Sequence, residues 1–145
     1  MKKTLTTSKI VSAVNVLAGK ETRLGKMKDA DRFAVVRTLR TAKPVAEAYN
    51  KYVEDARERL KPEGFDKMQE KVQKFDTLPD EEKLEVNKFF ADYDDAVSRC
   101  VADELSVERE VEVFPLSNDG FSKFMASNES MSAGAFAAVL ELMDK

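Results

Sequence analysis

The 145-residue chain has no histidine and no tryptophan, and its only cysteine is Cys100. Without histidine it lacks the commonest general base and the commonest metal ligand, so Ser-His-Asp and Cys-His catalysis are excluded within one chain. One cysteine allows no intrachain disulfide. Glycine is sparse, at positions 19, 25, 64, 120 and 134, and the five are too scattered to form a phosphate-cradling loop. Proline occurs four times. No segment approaches the roughly 20 consecutive apolar residues of a membrane span. Met1-Lys2-Lys3 followed by Ile10 to Leu17 faintly resembles a signal peptide. Lys9 precedes its apolar part, and Ser12 and Asn15 interrupt it. The expectation is a cytoplasmic protein without a membrane segment.

What the chain does contain is a stripe: Val35, Leu39, Ala42, Ala46, Tyr49, Val53, Ala56 and Leu60. Steps of four and three put these positions on one face only in a helix. The spacing predicts one long helix over about 30–60, on the order of 45 Å at 1.5 Å per residue. Pro44 lies inside it, on the outer face. A proline removes one helix hydrogen bond and clashes with the preceding turn, yet the stripe keeps its phase across it, so the reading is a kinked helix rather than two. Val36 on one side and Val45 and Tyr52 on the other widen the stripe, which points to a bundle rather than a narrow coiled-coil seam.

Other helices are predicted at about 8–18 (Ile10, Val14, Leu17, capped by Thr7 or Ser8), at 64–76 (Phe65, Met68, Val72, Phe75) and from Pro79 to Leu105 (Val86, Phe90, Tyr93, Val97, Cys100). Thr77 and Asp80 match a capping box for the last of these. At Val107–Val113 the period changes from helical to two, which marks a strand with one wet face. A lone strand needs a partner, and residues 2–6 are the only candidate, so a two-stranded ribbon pairing about 2–6 with 107–114 is expected. Asn118-Asp119-Gly120 reads as a turn. A short helix then carries Phe121, Phe124 and Met125, and a last helix after Ser132 carries Phe136, Val139, Leu140 and Met143. The fold class is mainly α, a helical bundle built on the long helix, as a single domain over 1–145.

Charge is unevenly placed. Residues 1–43 hold 11 Lys/Arg against 3 Asp/Glu, and the remainder holds 13 against 24. Lys20, Arg23, Lys26, Lys28, Arg37, Arg40 and Lys43 could together neutralise phosphates or meet an acidic partner. Phe33 is the only aromatic in that stretch, so base stacking is absent, and no helix-turn-helix is evident. Glu108, Glu110 and Glu112 form an acidic strand face, read either as protection against edge-to-edge pairing or as a docking face for a basic partner. Asp92, Asp94 and Asp95 fan over more than one helical face and do not converge as metal ligands. Cys100, on a core face, reads as a small apolar residue. No catalytic, cofactor-binding or metal site is expected.

The order of elements, with Arg32-Phe33-Ala34-Val35-Val36-Arg37-Thr38-Leu39 opening the long helix, Tyr49-Asn50-Lys51-Tyr52-Val53-Glu54-Asp55-Ala56-Arg57 continuing it, and Glu110-Val111-Glu112-Val113 near the end, resembles a group of small helical proteins encoded by bacteriophages and prophages among structural and assembly genes. The resemblance implies a cytoplasmic, non-enzymatic protein that acts by binding other proteins. The leading expectation is therefore an interaction or assembly factor working through charged helical faces and the terminal ribbon. Its partners would be proteins, a second copy among them, because a helix this long can project from a small bundle. The alternative is a nucleic-acid-binding module using the basic segment 20–43.

Overall fold

A computed structural model describes all residues, Met1–Lys145. The elements run β1 (Lys2–Thr6), α1 (Thr7–Leu17), α2 (Asp29–Arg59), α3 (Phe65–Gln73), a single 3-10 turn (Phe75–Thr77), α4 (Asp80–Leu105), β2 (Glu108–Glu112), α5 (Asn118–Ser127) and α6 (Ala133–Met143). The fold is mainly α with one two-stranded antiparallel sheet. Packing groups the chain into two compact units. Unit 1 comprises Met1–Asn50 with Leu105–Lys145, and unit 2 is Lys51–Glu104.

The long helix is unbroken from Asp29 to Arg59, with Pro44 inside it and exposed. Val35, Ala42, Ala46 and Ala56 are buried and Leu39, Tyr49 and Val53 half-buried, so the 4-3 stripe is the inner face. Val36 departs from expectation: it is 56% exposed and belongs to the opposite face. Asp29 and Asp31 in the first turn and Arg57 and Arg59 in the last suit the helix dipole.

In unit 1, β1 and β2 pair antiparallel, with Lys2 opposite Glu112, Thr4 opposite Glu110 and Thr6 opposite Glu108. Alternation sends Leu5 and Val111 inward, as the period-two pattern demands. Thr6 ends the strand and caps α1, its hydroxyl accepting from the Lys9 amide; the cap lies one residue earlier than the sequence suggests. α1 packs along α6. Ile10, Val35, Val113, Phe124, Val139, Leu142 and Met143 are fully buried and form the centre of a continuous core. In α6, Leu142 takes the inner position expected of Leu140, which is 43% exposed. Asn118-Asp119-Gly120 is the first turn of α5, not a free turn, because Ser117 caps it by accepting from the Gly120 amide at 3.0 Å. Lys3 bonds the carbonyls of Glu141 at 2.7 Å and Asp144 at 2.8 Å, neutralising the carboxyl end of α6.

Unit 2 is built differently. Its buried apolar residues are Ala56, Val86, Tyr93, Val97 and Val101, and α3 buries none. Phe65 anchors α3 through edge-on contacts with Phe90 (5.7 Å between centroids) and Tyr93 (5.2 Å). The expected helix over 64–76 stops at Gln73 and tightens into the 3-10 turn, where Thr77 donates to the Lys74 carbonyl at 2.7 Å. α4 begins only at Asp80, so Thr77, inside the 3-10 turn and three positions earlier, does not cap it. Cys100 is half-buried, with Arg59 Nη2 3.1 Å and Tyr52 Oη 3.6 Å from its sulfur. The hydrogen bond to Cys100 is the main reason the Tyr52 hydroxyl titrates above its ordinary range.

Candidate functional site

The basic residues of 20–43 do not act as one group. Lys20, Arg23 and Lys26 line a shallow cleft of about 790 Å³ between the loop after α1 and the loop joining α5 to α6. Buried Asn128 holds that loop in place. Its side-chain oxygen accepts from the Arg23 amide at 2.7 Å, and its nitrogen donates to the carbonyls of Arg23 (2.6 Å) and Phe124 (2.8 Å). Every polar atom of the carboxamide except one lone pair is thus engaged, which fixes its orientation. Glu21 and Glu129 share the cleft and offset part of its positive charge. The Arg23 guanidinium is turned back onto the Lys20 carbonyl at 2.6 Å.

Lys28 pairs with Asp119 at 3.6 Å. Arg37 stacks on Phe114, its guanidinium carbon 3.9 Å from the ring centroid, and the Phe33 centroid lies 5.6 Å from the same carbon. Such stacking is attractive and leaves the edge of the guanidinium open for bonding. Arg40 and Lys43 are exposed, with no ion pair to either.

Around these residues the outer face of α2 takes shape. Phe33, Val36, Arg37, Arg40, Lys43 and Pro44 are spaced to share one side of a helix, opposite the buried stripe, and all six are exposed. Phe33 is 62% exposed. An exposed aromatic and an arginine held by ring stacking are residue types enriched where proteins touch, and Val36 adds exposed apolar area beside them. The face is rigid for a stated reason. Thr38 accepts from the Phe114 amide at 2.9 Å, and Thr41 donates to the Glu112 carbonyl, so the end of β2 is tied along α2 and Phe114 is set under Arg37.

The acidic strand face is partly answered within the chain. Glu110 meets Lys2 at 3.5 Å and Glu112 meets the amino group of Met1 at 2.6 Å, while Glu108 is exposed. Thr41 and Thr38 also occupy the outer backbone edge of β2 at residues 112 and 114, which shortens what the ribbon offers for strand addition.

In unit 2, Leu84 is 70% exposed, the most exposed large apolar residue of the chain. It stands in the acidic start of α4, near Asp80, Glu81 and Glu85. An apolar groove of about 520 Å³ lined by Gln69, Val72, Phe75, Val86, Asn87 and Phe90 lies between α3 and α4. No group of three His, Cys, Asp or Glu side chains is placed to hold a metal ion, and no helix is long and apolar enough to cross a membrane.

The chain matches no family model, no curated protein and no solved structure.

The sequence made the basic cluster and the acidic strand visible as charge. It did not reveal the outer α2 face as a unit. The available signal was that Phe33 and Val36 stand off the stripe on the polar side of an amphipathic helix, where apolar residues serve no core.

Proposed function

We propose that this protein is a non-enzymatic interaction or assembly factor of the phage accessory type, acting in the cytoplasm through charged helical faces and, to a lesser extent, the terminal ribbon. The observation that carries the reading is the outer face of α2, where Phe33 and Val36 are exposed beside Arg37, stacked on Phe114, and the unpaired Arg40 and Lys43. Such a surface supplies an apolar centre with a cationic rim, and holding Arg37 by stacking lowers the entropy lost when a partner binds.

The test is a photo-crosslinking residue placed at Val36, with a control at exposed Ser122 on α5. A discrete protein adduct formed in cells from position 36 and absent from position 122 is the expected result. Absence of any discrete adduct at 36 would overturn the reading.

A second reading, polyanion binding, is favoured by one observation: Lys20, Arg23 and Lys26 line the same cleft. It requires that the protein bind a short DNA duplex with an affinity that falls steeply as salt rises. No binding at low salt removes it.

A further inference from the structure

The two units differ in charge. Unit 1 holds 14 Lys/Arg against 11 Asp/Glu, a net of +3; unit 2 holds 10 against 16, a net of −6. The imbalance reaches the surface at two helical faces. On α2 of unit 1, Phe33 and Val36 are exposed beside Arg40 and Lys43, and neither cation has an ion-pair partner. On α4 of unit 2, Leu84 is exposed among Asp80, Glu81 and Glu85, which also lack ion pairs. Each face thus combines exposed apolar surface with unanswered charge mainly of one sign, positive on α2 despite exposed Glu47 and negative on α4 despite exposed Lys88, and the dominant signs are opposite.

We propose that these two faces bind each other between copies of the chain, the outer α2 face of one molecule receiving the acidic start of α4 of another. The inference rests on reading the outer α2 face as an interaction surface. It goes further by naming the occupant. Charge complementarity selects it: pairing two α2 faces would set Arg37, Arg40 and Lys43 of one copy near the same cations of the other, and pairing two α4 faces would do the same with carboxylates. Only the unlike pairing removes both apolar patches from water while opposing charges meet. If two copies use the contact reciprocally they close as a two-fold pair; used head to tail, the same contact builds a ring or an open chain.

A helix face laid on a helix face is small against the 1,200–2,000 Å² of a standard stable interface, so each contact is weak. Both rims are solvent-exposed, so ionic strength screens them, the Debye length falling from about 14 Å to about 4 Å between roughly 50 mM and 500 mM salt. Association should therefore depend on protein concentration and weaken as salt is added.

The experiment is sedimentation equilibrium on the full chain from about 20 to 500 µM, spanning the weak regime expected of a small interface, at low and at high salt. Two variants accompany the parent, Arg40→Glu with Lys43→Glu and Glu81→Lys with Glu85→Lys, together with an equimolar mixture of the two. All four positions are exposed, and circular dichroism confirms that each variant is folded. The expected result is a mass above monomer that falls with salt, loss of at least tenfold in association constant for either variant alone, and recovery to within about threefold in the mixture, where opposite charges meet again. A monomer at every concentration overturns the self-contact and leaves the broader reading to the crosslinking at position 36, whose adduct would then have a mass other than two copies. An oligomer that the α4 variant does not disturb overturns it as well, since the contact would then not use the start of α4.

Discussion

Unit 1 and unit 2 solve the same problem with different means. Unit 1 surrounds Ile10, Phe124, Val139, Leu142 and Met143 on all sides, and long-range polar clamps secure its loops: Asn128 on Arg23, Thr38 on Phe114 and Lys3 on the end of α6. Unit 2 buries five apolar residues and leaves Phe65, Phe89 and Phe90 half-buried, touching one another by their edges. Burial stabilises in proportion to apolar area removed from water, so the lesson is that secondary structure alone does not measure stability. α3 is helical throughout yet buries no residue completely. Short helices hold their shape mainly through packing, and this one has little.

The contrast can be broken most severely at Phe124. Phe124→Ala should lower stability by about 3–5 kcal/mol in denaturant unfolding, because it opens a cavity where the core is complete. Val86→Ala in unit 2 removes two methyl groups and should cost about 1.5–2 kcal/mol at ~0.8 kcal/mol per group, and an equal loss at the two sites would refute the contrast. Next in size is Asn128→Ala. It strands the Arg23 amide and carbonyl, for a loss of about 1–3 kcal/mol, and should loosen residues 20–28 in NMR relaxation while α3 stays unchanged. Hydrogen exchange sharpens the comparison without mutation. Amides of residues 65–73 should exchange well before those of α1 and α6, and equal protection would mean α3 is held by more than Phe65. The smallest effect is at Glu141. Its hydrogen bond with Lys9 at 2.7 Å holds its carboxyl below the usual glutamate range, so the pair stabilises above that range and the contribution is lost as pH falls through the lowered value. An NMR titration should show a depressed Glu141 midpoint that returns upward in Lys9→Ala.

Much of the fold was legible because periodicity is a local signal. The 4-3 stripe located α2 and carried it across Pro44, and the change to period two at Val107 located β2 and, by elimination, its partner. Residues at the margin of a face were not legible. Val36 and Leu140 sit within a turn of core positions, and whether such a residue is covered depends on a neighbour elsewhere in the chain. The division into two units was hidden for a related reason. Its boundaries fall inside the α2 helix and at the end of α4, with no glycine or proline to mark them. At the candidate site, charge was readable and grouping was not. Arg37 owes its setting to Phe114, and the cleft loop owes its own to Asn128, 105 residues beyond Arg23. The capping box at Thr77 failed because residues 75–77 wind into their own 3-10 turn and α4 starts only at Asp80, which leaves the Thr77 hydroxyl outside the helix's first turn.

The ribbon also has a consequence for the order of events when the chain is made. β1 leaves the ribosome well before the residues it pairs with, and Met1 bonds Glu112 across 111 positions. At ~5–20 residues per second, the first strand waits on the order of 5–20 s for its partner. During that interval Leu5, Ile10 and Val14 have no α6 or β2 to cover them, while Lys51–Glu104 already has every residue it needs to pack. The weaker unit is thus the one able to form during synthesis. The stronger one closes last, and a chain that stops short of residue 112 leaves it open.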